Sequence, residues 1–464
     1  MPDTNAAAAT FSTKRFADFV SSTPTSDVPL SVLEAARDAL VDTLGCGLAG
    51  VDDEPSRIAQ QWIIEHGGSP QAHVWGTALK ATAGDAAFAN AIAGHTLDFD
   101  DSSLNLRGHP SALMMSVALA VGEATHATGR EVLAAYACGL EVAAKLSPAL
   151  GAGHYFRGWH TTATAGIFAA AAIAARLWKL SPQATSHAFG LAASQACGLT
   201  RNFGSMTKSY HVGHAARCGI TSAWLAGKGY TADTEILDGK NGFVDVYHGE
   251  RSKPLDELIA KLGAPWELDQ PGLYRKRFPC CYAVHRSVAG LLELVEQHNI
   301  ASADITQIRV GYLPGVQYPL IHHNPQTGLE AKFSTEYCMA AAAHDRTLTI
   351  ESFEDASVAR PAVRALMTKV TSYEIPDPNV YNGLTGYNDI AVETHSGTFT
   401  THIDRTPGSP DWPIAGCVLE DKFLSCARKT LPEEAAKKAL ELAMSAVTLP
   451  DITTLCGALR RATP

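Results

Sequence analysis

Ten cysteines are scattered through the chain without one C-x-x-C pair, so neither a zinc ribbon nor a disulfide framework finds its usual spacing. No G-x-G-x-x-G opens a helix after a strand, no P-loop occurs and no H-E-x-x-H is present. Those absences remove the sequence support for dinucleotide, nucleotide and zincin chemistry, and neither a cofactor nor a metal is expected. Positive charge is in deficit as well. Against 47 Asp and Glu stand 37 Lys and Arg, a formal net charge of -10, so the surface as a whole repels nucleic acid and anionic membrane. An acidic ligand therefore needs a local basic pocket. The longest apolar run in the helical half, Ala165 to Ala175, falls short of the roughly 20 residues that cross a bilayer. The opening segment, MPDTNAAAATFSTKRF, has neither a basic start before an apolar block nor an Arg-rich import pattern, and a cytoplasmic location is expected.

What is present is a large folded chain. With 464 residues, 46% hydrophobic and 18% charged, it exceeds the size of a single core and two domains are expected. In DVPLSVLEAARDALVDTLGCGLAG, Ser31 and Glu34 have capping-box spacing and Val32, Ala36, Ala39, Leu40, Thr43 and Leu44 form one helical face. Helical patterns follow at 84–97, 111–128, 131–146, 160–178, 182–196 and 211–228, separated by short Gly, Pro or Ser breaks. They are crowded with Ala and Gly, which lets backbones approach closely. Beyond APWELDQPG the period changes to alternation at 305–313, at 367–375 and across IAVETHSGTFTTHID, with Ser396-Gly397 as the hairpin turn. A charged amphipathic helix returns in LPEEAAKKALELAMSAV. The expected fold is mostly α: a large all-helical domain from residues 1–265 and 405–464, and a smaller α+β lid domain from 266–404.

The densest polar segment is HTLDFDDSSLNLRGHPS, residues 95–111, between two small-residue helices, where Asp98, Ser102, Arg107 and His109 share one loop. A plain capping role accounts for DFDD about equally well. In GWHTT, His160 opens a helix whose dipole and hydroxyls suit a carboxylate, although an ordinary cap with a surface His fits too. NFGSMTKSYHVGHAAR sets Lys208, His211 and His214 at i, i+3 spacing; zinc on the two imidazoles lacks a third ligand at a recognised spacing. KRFPCCYAVH supplies two cations and then His285, and KFSTEY places Tyr337 in an apolar helix, where a core Tyr with a bonded hydroxyl is the plain alternative. His, Lys, Asp and Tyr without a cofactor motif make the inventory of general acid-base catalysis. A magnesium-dependent, terpenoid-synthase-like helical enzyme using DFDD is the second class considered; no D-D-x-x-D supports it.

Taken in order along the chain, DALVDTLGCGLAG, HTLDFDDS with GHPSA, GWHTTATAG, MTKSYHVGHAARCGI with GYTADTEILDGKNGF, KRFPCCYAVHRS and NPQTGLEAKFSTEYCMA resemble the MmgE/PrpD family over nearly the whole length. The resemblance implies a helical domain made of both chain ends, an α+β lid between them, a homodimer and a metal-free cleft site. It implies as site residues Asp98, His109, His160, Lys208, His285 and Tyr337. Arg107 and Ser102, from the same polar loop, are expected to join Lys208 and His160 in binding a small carboxylate. Asp98 is expected to orient an imidazole. The family's activities are epimerisation, decarboxylation and dehydration of small di- or tricarboxylates. Residues 158–161 and 324–327 depart from the pattern of the bacterial methylcitrate dehydratases, and the cationic supply looks modest for a tricarboxylate. The reading therefore leans to an epimerase of a dicarboxylate such as iminodisuccinate, with a cis-aconitate decarboxylase-like lyase as the alternative and a methylcitrate dehydratase behind it. Activity is expected to survive exhaustive chelation and to need no added nicotinamide; loss in EDTA with recovery on adding one metal would overturn this.

Overall fold

Helices built from Ala and Gly bury little area per residue, so they gain stability only by packing in many close layers. The structure, a computed structural model, describes residues 11–381, 383–414 and 416–461, and shows that arrangement. Helix Thr207–Gly227 runs against both Ala83–Thr96 and Gly166–Leu177. A Cβ on Gly219 would sit 2.3 Å from Ala170 Cβ, and one on Gly213 2.6 Å from the Phe88 carbonyl. Bare backbone at these crossings is what allows the approach, and the tight grip fixes where the start of Thr207–Gly227 delivers Lys208 and His211.

Two hydrophobic cores divide the chain. One draws on Phe16 through Leu273 and again on Leu419 through Leu459; the other runs from Phe278 to Ile403. Both chain ends thus build the helical domain and the lid is inserted between them. Trp266, Leu268 and Leu273 pack into the helical core, so the changeover falls between Leu273 and Phe278 and not at 266. The return is marked by helix Gly416–Ala427.

The expected helices are all present, with telling differences at their ends. The segment read as 131–146 continues as Gly129–Phe156 through Pro148 and a kink at Gly151 (φ 76°), and the added turns carry Tyr155 and Phe156. That helix is long and apolar enough to cross a membrane, yet 94% of its most apolar window is buried against the rest of the protein. The 160–178 segment breaks into Thr161–Thr164 and Gly166–Leu177, so His160 caps only a single turn and the dipole available to it is correspondingly small. The Ser31–Glu34 capping box does not form, because Leu30–Gly50 starts directly after Pro29 without a side-chain cap; Thr128 and Glu131 make that motif instead. In the lid the strand order is Val370–Glu374, Ile305–Tyr312, Asn388–Thr394, Gly397–Ile403, with the first pair parallel and the others antiparallel. Thr394 pairs with Gly397, which puts the hairpin turn at His395-Ser396, one residue before the expected position.

Gly219→Ala is expected to lower stability by about 1–3 kcal/mol through overpacking against Ala170. Gly457→Ala, where an added Cβ meets nothing within 4 Å, serves as the control and should be neutral or stabilising by up to about 1 kcal/mol. Denaturant melts of the two variants check this, and equal effects would refute the close-packing account.

Candidate active site

Helix Ala83–Thr96 runs out at Leu97, and Asp98 turns the chain through the left-handed region (φ 51°), which Asp tolerates better than most residues. The turn fans out three successive carbonyls, and each meets a different lysine. Leu97 O accepts from Lys332 Nζ at 2.7 Å, Asp98 O from Lys276 Nζ at 2.8 Å and Phe99 O from Lys422 Nζ at 2.9 Å. Lys332 belongs to the lid, Lys276 to the changeover segment and Lys422 to helix Gly416–Ala427. Lys422 also pairs with buried Asp42 at 2.8 Å and donates to Lys276 O, while Lys332 donates to Pro279 O.

The Asp98 carboxylate takes Lys208 Nζ at 2.8 Å and Lys276 Nζ at 3.0 Å on the same oxygen. Burial alone would raise its proton affinity, but the two ammonium groups outweigh it and hold Asp98 ionised, well below the usual carboxylate range. Lys208 donates as well to His95 Nε2 at 2.7 Å, and His95 Nδ1 meets Asp100 at 2.8 Å. The lysine fixes the tautomer: Nε2 accepts, Nδ1–H donates, and burial keeps this imidazole neutral. Asp100, not Asp98, is therefore the carboxylate that orients an imidazole through a short hydrogen bond, and the imidazole is His95.

His109 donates Nδ1–H to Asp101 O at 2.9 Å, leaving the Nε2 lone pair toward the cleft, 3.8 Å from Asp98. Burial, followed by Lys276, pushes its proton affinity well below that of a free His. His160 meets His211 Nδ1 to Nδ1 at 3.1 Å, so one proton is shared between them; burial and then Lys208 depress both, His211 to about 4. The segments carrying His109 and His160 are locked together by His109 N–H to Thr162 Oγ1 at 3.0 Å. Gly108 is required there, since a Cβ would lie 2.5 Å from the same hydroxyl.

Four of these groups, Asp98, Lys208, His109 and His160, face a cleft between the domains. Asp98, Ser102, Arg107, His109, His160 and Lys208 line it. His285 does not: it stands one layer back, stacked on the cleft residue Tyr282 with ring centroids 4.7 Å apart, its Nε2 at the Cys280 carbonyl. Tyr337 is buried in the lid core with its hydroxyl donated to Ser352 O, as a core Tyr would be. His214 faces Tyr210 and Cys218 rather than His211. Site contributors not assigned from sequence are Lys276, Lys332, Tyr155, Phe203, Cys281 and Phe333. Phe203 from the helical domain and Phe333 from the lid stack on each other with centroids 5.6 Å apart, and both rings lie 5.4 Å from Lys208 Nζ. Burial lowers Lys332 to about 8.

Could the acidic cluster hold a cation? Ligand atoms of His95, Asp98, Asp100 and His109 lie within 4.8 Å of one another. Two ammonium groups already sit on Asp98, both His95 nitrogens are engaged, and Asp101 is tied to Ser111 and pushed up to about 7 by burial and Asp42. Asp98 Oδ2 and Asp100 Oδ1 are left without a hydrogen-bond partner, but a cation drawn to them would sit beside the two ammonium groups on Asp98, and that repulsion weighs against a metal here.

The model of the MmgE/PrpD N-terminal domain matches residues 14–256 and that of the C-terminal domain residues 278–446. Cis-aconitate decarboxylase of Homo sapiens is 30% identical over 445 residues, 93% of this chain and 91% of that protein. The Mus musculus cis-aconitate decarboxylase is 28% identical over 97% of this chain and 93% of its own length, and that of Aspergillus terreus 25% over 96% and 94%. With both domain models matched in order across the two cores, the chain belongs to the MmgE/PrpD family.

Proposed function

We propose that this protein is a carbon-carbon lyase that decarboxylates cis-aconitate without a metal or organic cofactor. The observation that carries the reading is the cleft's pairing of two neutral imidazoles, His109 and His160, with the Asp98-anchored Lys208, in a chain that aligns end to end with cis-aconitate decarboxylases. The lean toward a dicarboxylate epimerase loses its footing. The relatives carry the decarboxylase name, and Lys276 and Lys332, buried behind Asp98, enlarge a cationic supply that looked modest in the loop motifs.

The chemistry follows from the substrate's connectivity. Breaking the bond between the CH2 carbon and its carboxylate releases CO2; the electron pair moves into the C=C system and comes to rest on the carbon beside the far carboxylate. That carbon takes one proton, so the products are CO2 and a five-carbon unsaturated dicarboxylate. Two demands are placed on the protein: hold the spectator carboxylates and supply one proton. Lys208 serves the first as a charge-assisted donor. His109 serves the second. It is neutral in the free enzyme, and the arriving carboxylates raise its proton affinity by Coulomb attraction in a buried site, so that substrate binding draws in the proton later delivered to carbon. Depressing the imidazoles beforehand keeps the lysine-rich site from accumulating further positive charge.

In D2O, cis-aconitate should give equimolar CO2 and a product with one deuterium, followed by NMR; inversion of a dicarboxylate with no gas released, or efficient turnover of 2-methylcitrate, would replace this reading. His109→Gln should cost about 10²–10⁴ in kcat with little change in melting temperature. Lys208→Ala should cost about tenfold to a hundredfold in kcat/KM. Full turnover by either folded variant would remove that residue from the mechanism.

A pH dependence follows with a definite sign. His109 and His160 titrate below their unfolded value of about 6.5. The unfolded chain therefore binds more protons than the folded one as pH drops through that value, and stability should fall on acidification below about 6.5. A bound tricarboxylate should reverse the preference, taking up a proton and binding more tightly as pH falls from 8 toward 6.5. Calorimetry in two buffers of different ionisation enthalpy measures that uptake, and release of a proton would contradict the assigned roles.

A further inference from the structure

Among the cations that line the cleft, Lys208 is engaged by Asp98 and His95. Arg107 is different. It lines the same cleft and is only partly exposed, and among the described residues its guanidinium has no ion pair and no hydrogen-bond partner. A guanidinium presents five fixed donors and does not lose its charge, so withdrawing it from water without a partner is unfavourable. Burial, followed by the nearby Arg251, lowers its proton affinity, so the one neighbouring charge it feels is of the same sign. A guanidinium without a partner on the cleft wall, with the solvent-exposed Arg251 adding charge of the same sign, suits an anion in a protein whose net charge is -10.

Both arginines are held by built backbone. Arg107 takes a left-handed conformation (φ 55°) inside a loop closed by Arg107 N–H to Ser103 O at 3.0 Å and by Leu106 N–H to Ser103 Oγ at 3.2 Å. Ser147 donates to Leu106 O and Asn105 donates to both oxygens of buried Glu267 just before Arg107, and His109 N–H donates to Thr162 Oγ1 just after it, so the loop is tied to the helical core on each side. Arg251 lies in a segment docked along the kinked end of Gly129–Phe156, through Gly153 N–H to Glu250 O at 2.9 Å and Lys253 N–H to Pro148 O at 3.0 Å. The kink at Gly151 makes room for that segment, since a Cβ there would lie 2.6 Å from Glu250 O.

We infer that Arg107, supported by Arg251, is a carboxylate subsite at the cleft mouth, separate from the Lys208 seat, and that it sets the preference for three carboxylates over two. The inference rests on the decarboxylase reading for the identity of the acid, but the subsite can be tested without turnover. Tricarballylate is a saturated tricarboxylate; glutarate lacks its central carboxylate and methylsuccinate a terminal one. Binding of all three to the full chain is measured by calorimetry for the native protein, Arg107→Gln, Arg107→Lys and Arg251→Gln. Tricarballylate should weaken about tenfold or more in Arg107→Gln, as expected for loss of a charged bidentate contact. Of the two dicarboxylates, the one lacking the carboxylate seated by Arg107 should change less than about twofold, and Arg107→Lys should recover only part of the loss, because a point charge does not reproduce the fork. Arg251→Gln should weaken tricarballylate by a smaller factor in the same selective way.

Equal weakening of all three acids in a variant that melts like the native protein would overturn the subsite, as would no change. Should Arg107→Gln melt early, the assignment rests on Arg107→Lys, where retained native affinity for tricarballylate counts against it. Selective loss in a protein that releases no CO2 from cis-aconitate would leave the subsite standing and the decarboxylase reading refuted. Normal decarboxylation with an unchanged KM in Arg107→Gln would do the reverse.

Discussion

A buried carboxylate with two ammonium groups on one oxygen is the constraint from which the rest of this site is set out. Asp98 holds Lys208 and Lys276, and the backbone around it receives Lys332, Lys276 and Lys422 on consecutive carbonyls. Such an arrangement need not add stability. Desolvating several ions costs as much as their attraction returns, and a well-packed apolar replacement is often as stable. Its effect is on geometry. Each lysine comes from a different part of the chain, so one three-residue turn fixes the helical domain, the lid and helix Gly416–Ala427 against each other, and the cleft inherits their relative placement.

The electrostatics are arranged to keep one kind of charge from crowding the site. Around the lysines stand imidazoles that stay neutral because burial and the ammonium groups both oppose protonation. The acids next to them are either held ionised, as Asp98 and Asp100 are, or pushed toward protonation, as Asp101 is. Three aspartates within four positions thus fall into two states: ionised for the first, against lysine, and for the second, against His95, and pushed toward protonation for the third by burial and Asp42. Composition gives no hint of this, since the letters are identical.

Much of the architecture could be read before any coordinates, and the exceptions have physical causes. Alanine-rich periodicity located the helices, and strand alternation located the lid sheet. Ser147-Pro148 read as a stop, but the proline is accommodated within Gly129–Phe156 and the break is displaced to Gly151, which hid Tyr155 and Phe156 from the site. The boundary at 266 failed because Trp266, Leu268 and Leu273 follow a Pro-rich break yet turn back into the first core. For the site, the loop motifs named Asp98, Ser102, Arg107, His109, His160 and Lys208, all on the cleft. Lys276 and Lys332 stood in quoted motifs but went unassigned, because a lysine is overwhelmingly a surface residue and nothing local distinguishes a buried one. His285 and Tyr337 were carried by family likeness alone, and packing sets the first behind Tyr282 and the second inside the lid.

The Lys422 contacts also impose an order on assembly. A ribosome making this chain presents Asp42 and the Leu97–Phe99 turn long before it has added Lys276, Lys332 and finally Lys422, and domains tend to fold from the N-terminal side as they emerge. Until then the Asp42 carboxylate lacks its cation and three carbonyls lack their donors, in a region otherwise made of thin, apolar helices. The early helical layers can collapse, but the turn that carries the chemistry takes its final form only when helix Gly416–Ala427 closes over it. The turn therefore waits for a residue made 323 positions after Phe99.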